Sequence, residues 1–145
     1  MNLIWGVILI IFTLILGWLA QVINAFSPTL AARLGLNEPE SDVDATFFAD
    51  TRGEAIWDVM IIWMLPVAGI LLILNSPLWA YFGLVGGGIY LYFAGRGIVV
   101  RLVMQRRAIR IGKPGTLKLY FLLLILWGLI AVVTIVLAVA SLPLP

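Results

Sequence analysis

All nine Lys and Arg residues and all seven Asp and Glu residues of this protein fall in two stretches, Arg33 to Asp58 and Arg96 to Lys118, and the rest of the chain is apolar, small or neutral. Hydrophobic runs lie before, between and after these stretches. The middle run is long enough for a helical hairpin, so four membrane crossings bring both charged stretches to the same side. The first stretch carries minus five, seven acids less two arginines, and the second plus seven with no acid. This opposed pair sets the topology, predicts contact between two loops, and marks the face where function is to be sought.

With 63% hydrophobic and 11% charged residues, the chain has too little polar surface to cover a soluble globule. A helical crossing needs about 20 apolar residues. The 145 residues therefore accommodate four crossings in a single all-α membrane domain, an antiparallel bundle of two hairpins. The expected spans are residues 3–26, 55–74, 78–100 and 117–142, with an acidic loop at 27–54 and a basic loop at 101–116. The first run lacks the leading Lys or Arg of a signal peptide and reads as a retained span.

Local signals refine the boundaries. Ser27 and Pro28 have the chemistry of a cap and first helical position, predicting a short interfacial helix to Leu36. Thr51 and Glu54 match a capping box, which predicts a helix start near Arg52. Pro66 removes a backbone donor inside the second span and predicts a kink between Ile62 and Pro66. Asn75, Ser76 and Pro77 form the expected hairpin turn. The third helix is expected to run past the membrane until Gly112, and Thr116 to cap the fourth span. All nine Lys and Arg residues fall on one side, so the positive-inside rule assigns that side to the cytoplasm and both termini to the opposite side.

Counted from the hairpin turn, Asp58 lies 18 residues before Ser76 and Arg96 lies 20 after it. At about 1.5 Å per residue these positions share a depth near the edge of the hydrocarbon, so an Asp58–Arg96 ion pair is expected. Its simpler role is an interfacial pair; a gate or a lipid-headgroup site is the alternative. The basic side chains Arg101, Arg106, Arg107, Arg110 and Lys113 are candidate contacts for anionic lipid or a partner protein. Pairing with the acidic loop is the competing assignment.

Gly83, Gly87, Tyr90, Ala94 and Gly97 recur at spacings of four and three and define a helix-packing seam on the third span. The first span has a similar row at Gly6, Ile10, Thr13, Gly17, Ala20 and Asn24, and the fourth at Trp127, Ala131, Thr134, Ala138 and Ser141. Gly86, Gly87 and Gly88 lie mid-span without a Walker lysine, so a closely crossing helix accounts for them better than a phosphate loop. Trp5, Trp57, Trp79, Tyr81 and Tyr120 read as interfacial anchors. Trp63, with Met60 and Met64, is assigned to ordinary packing rather than to a pocket for a lipid tail, quinone or pigment.

Cysteine and histidine are absent, which removes disulfides, thiolate and imidazole metal sites and cysteine nucleophiles. The acidic loop lacks a calcium-loop pattern because Phe47 stands where glycine makes the turn. No catalytic, cofactor or metal site is therefore expected. A basic run abutting a span suits anionic headgroups better than nucleic acid. The functional expectation is a non-enzymatic accessory or assembly subunit of a bacterial-type inner-membrane complex, presenting charged cytoplasmic loops to a partner or to lipid. A homo-oligomeric transporter or channel is the alternative, and a lipid-active enzyme the third.

Overall fold

The computed structural model describes residues 2–142, and among them the chain is helical without a named strand. Four helices are long and apolar enough to cross a membrane: Asn2–Phe26, Ala45–Ile73, Trp79–Arg106 and Pro114–Ser141. We refer to them as the first to fourth spans. Consecutive spans pack side by side, and the first and fourth are tied by the Trp127 indole, whose Nε1 donates to the Phe12 carbonyl at 2.8 Å. The result is a four-helix bundle with both charged stretches at one end. At the other end Asn2 Nδ2 donates to Asn75 Oδ1 at 3.1 Å across the hairpin turn.

The second helix begins at Ala45, well ahead of the expected start near Arg52. Asp44 is the cap, its carboxylate accepting the Thr46 N–H at 2.8 Å. No breaker separates it from Thr51, so helix propagates through the apparent capping box. Thr51 is buried mid-helix and donates back to the Phe47 and Phe48 carbonyls. The expected acidic loop is shortened accordingly. The break in this span falls at Ile62 and Trp63, between helices Ala45–Ile61 and Met64–Ile73, where Pro66 has no N–H to offer the Ile62 carbonyl.

The third helix ends at Arg106, before Gly112. Its terminus is a Schellman motif: Ala108, at φ 55°, donates to the Gln105 carbonyl and Ile109 to the Met104 carbonyl, both at 3.0 Å. The short helix Pro28–Arg33 closes in the same way through Gly35, and the second span through Asn75. The fourth helix starts at Pro114 rather than at a Thr116 cap, with proline at the position where its missing donor costs nothing.

All five seam residues of the third span are buried. A Cβ at Gly87 would lie 2.7 Å from Ile135 of the fourth span, and one at Gly97 would lie 2.9 Å from Leu124. Gly86 faces the other way, where a Cβ would meet the Leu65 backbone nitrogen at 2.7 Å. Gly88 meets nothing. Two members of the triple glycine thus serve two different helix crossings.

Hydropathy gave no sign of the π-helix at Ile10–Leu19 inside the first span. Its wider turns displace carbonyls from the four-residue ladder. Tyr90, fully buried, donates to the Thr13 carbonyl at 2.8 Å, beside the Trp127 bond to Phe12. Trp18 returns a bond to the second span through the Val59 carbonyl at 3.0 Å. Three aromatic donors therefore lock the first span to the other three.

Candidate functional site

At the charged end the loops fold onto one another through backbone groups. The Asp44 N–H donates to the Arg110 carbonyl at 2.7 Å, and Val43 forms an isolated antiparallel bridge with Ile111. Arg110 Nη2 donates to the carbonyls of Ser41 and Val43, each at 3.2 Å. Lys113 Nζ lies 2.9 Å from the Asp42 carboxylate, and its backbone N–H donates to buried Glu38 at 3.1 Å. Gly112 sits at φ +120°, where a Cβ would lie 2.5 Å from the same Glu38 oxygen. Beneath the latch Val43, Phe47, Ile111 and Leu117 form a small apolar cluster.

These contacts shift the groups that make them. The hydrogen bond from Lys113 holds Asp42 below the ordinary carboxylate value, and Asp42 in turn raises Lys113. The backbone N–H of Thr46 lowers Asp44.

Inside the latch the expected Asp58–Arg96 pair is replaced by another. Arg96 lies 2.6 Å from Asp50 and 2.7 Å from Glu54. Its long side chain extends toward the charged end, where the polar edge of the bundle lies, rather than across to Asp58 at equal depth. Asp58 is only 4% exposed, and its Oδ2 has no hydrogen-bond partner. The signal for the true partners was present in the sequence. Asp50, Glu54 and Asp58 are spaced by four, one face of a helix once that helix is carried back to Ala45.

Arg101 also turns inward rather than toward lipid. It donates to the Gly97 carbonyl at 3.0 Å and lies over the rings of Phe47 and Tyr120 at 5.5 and 5.8 Å. Its Nε is buried without a partner. Of the five expected lipid or partner contacts, then, Arg101, Arg110 and Lys113 engage the protein itself. Arg106 and Arg107 remain exposed without an ion pair among the described residues, joined by Arg33 and Lys118.

Two cavities flank Glu54. One, of about 120 Å³, lies between the first and fourth spans and is bounded on its polar side by Gln21, Asn24, Arg101 and Tyr120. The other, of about 230 Å³, lies between the second and third spans beside Asp58. Tyr120 thus faces a cavity rather than anchoring the helix at the surface. Trp79 is likewise drawn into the core, whereas Trp57 and Tyr81 stay exposed. Trp63 packs on Phe82 and donates to the Met60 carbonyl.

Fold and site together define a class, the four-span helical membrane protein with a latched, charged end. No protein-family model, curated protein or solved structure matches the chain.

Proposed function

We propose that this protein is a small accessory or assembly subunit of a bacterial-type inner-membrane complex. Its charged end faces the cytoplasm and rests against a partner and the surrounding anionic headgroups. The observation that carries this reading is the division of charge at that end. The acids are largely consumed within the fold, by Arg96, Lys113, the helix cap at Asp44 and the buried seat of Glu38. Arg33, Arg106, Arg107 and Lys118 are left exposed on a platform that the latch holds in one shape. Fixed cations at a span end attract anionic headgroups by about 1 kcal/mol each. Excess Lys and Arg on that side also assigns it to the cytoplasm.

The test is purification of the tagged full chain from its native membrane in mild detergent. A foreign protein in fixed stoichiometry, lost or depleted when Arg106 and Arg107 are both replaced by glutamine, supports the reading. A closed ring of identical chains around a water-filled path overturns it in favour of a transporter or channel.

A further inference from the structure

We propose that the cavity between the second and third spans binds an organic ammonium group, with Asp58 as its counter-ion. The cavity measures about 230 Å³, and Trp57, Asp58, Tyr92 and Phe93 stand on its walls. Asp58 is nearly sealed from solvent and its Oδ2 is unsatisfied. A buried carboxylate in that condition is costly unless a cation or a proton joins it.

The neighbouring cation does not fill that role. Arg96 reaches the cavity but places its two terminal nitrogens on Asp50 and Glu54. Arg101 lies on the opposite side of Glu54, against Phe47 and Tyr120, and lines the other cavity. Two carboxylates, Glu54 and Asp58, therefore face the cavity against a single guanidinium. With both carboxylates ionised, the wall carries one negative charge in excess, which a bound cation would balance.

The remaining surfaces select the kind of cation. Aromatic faces attract an ammonium group through their quadrupole, tryptophan most strongly. Trp57 and Tyr92 are 58% and 67% exposed on the outer flank of the bundle, so the cavity opens sideways toward the bilayer. A metal ion would want several oxygen ligands, and no three acidic side chains among the described residues are placed to hold one. An anion would meet Asp58 and Glu54. An ammonium carried on an apolar body satisfies both the carboxylate and the rings, whether it belongs to a free amphiphilic amine or to a lipid headgroup.

The full-length protein in dodecyl maltoside is titrated with phenyltrimethylammonium and, separately, with its neutral carbon isostere tert-butylbenzene. Binding is read by equilibrium dialysis. Saturable binding of the ammonium alone is expected, weakened on the order of tenfold by Asp58→Asn and severalfold by Trp57→Leu, and unchanged by Arg101→Gln. A second readout uses the wild-type chain, in which bound phenyltrimethylammonium slows carbodiimide labelling of Asp58. Displacement by added phosphatidylethanolamine identifies a lipid headgroup as the occupant, and failure to displace identifies a free amine. The site is refuted if the two probes bind alike, if folded Asp58→Asn binds as well as wild type, or if labelling of Asp58 is not slowed.

Discussion

Arg96 bypasses Asp58, the acid that shares its depth, and lies 2.6 Å from Asp50, two helical turns nearer the loops. Its other terminal nitrogen lies 2.7 Å from Glu54, whose side chain is only 11% exposed. One guanidinium thereby holds two carboxylates at the rim of the bundle and draws the second and third spans together, where no other ion pair among the described residues joins them.

Replacement of Arg96 by glutamine strands Glu54 beside Asp58 without its ion-pair partner. Removing one partner of a largely buried pair leaves the other uncompensated, and a loss of roughly 2–3 kcal/mol is expected. Thermal unfolding in detergent, followed by tryptophan fluorescence, measures it. Arg96→Gln combined with Glu54→Gln should recover part of the loss; a double variant less stable than the single one contradicts the assignment.

The Tyr90 hydroxyl satisfies a carbonyl of the π-helical segment in the middle of the bundle. Tyr90→Phe should cost about 1–2 kcal/mol, the value of an orphaned buried acceptor. Gly17→Ala places a Cβ 2.6 Å from that hydroxyl. It should be at least as damaging, because overpacking costs about 1–3 kcal/mol and here also breaks the bond. If both variants melt with wild type, the first span is not held by this contact.

The triple glycine offers an internal control. Gly86→Ala drives a methyl into the Leu65 backbone and should destabilise by about 1–3 kcal/mol. Gly88→Ala, two residues on and facing open space, should be neutral or gain roughly 0.5–1 kcal/mol by restricting the unfolded chain. The contrast, read from the two melting temperatures, separates helix contact from helix propensity.

The loop latch should depend on pH in both directions. Asp42 is lowered when folded, so its contribution is complete above the ordinary carboxylate value and disappears as pH falls through the folded one. Lys113 is raised, so its contribution is complete below the ordinary lysine value and disappears as pH climbs through the folded one. Amide protection at Asp44, whose N–H crosses to Arg110, taken as exchange relative to the intrinsic rate at each pH, should be greatest between these limits. Both groups are open to solvent, so added salt should narrow the difference. Gly112→Ala, which collides with Glu38, should speed exchange at Asp44 across the whole range. A protection factor indifferent to pH would mean that the backbone bridge alone holds the loops.

Several features were legible because they depend on local chemistry. The break near Pro66 follows from one missing donor. The row from Gly83 to Gly97 follows from helical spacing, although spacing alone could not say that Gly86 serves the second span while Gly87 serves the fourth. The second helix start was misread because Thr51 and Glu54 satisfy a capping pattern that a stronger cap upstream overrides. Asp44 prevails because the bridge from Val43 to Ile111 holds the preceding residue extended. That bridge joins residues far apart in the chain.

From the order of its residues alone this chain was committed to four helices, two polar ends and a single charged face, since hydrocarbon length and the cost of burying charge act on each segment separately. Only the packed bundle decided which acid Arg96 holds, that Arg101 turns inward onto Phe47 and Tyr120, and that the first span opens into π-helical turns. Those outcomes depend on the reach and competition of side chains from different spans, which segment-by-segment hydropathy and spacing do not encode.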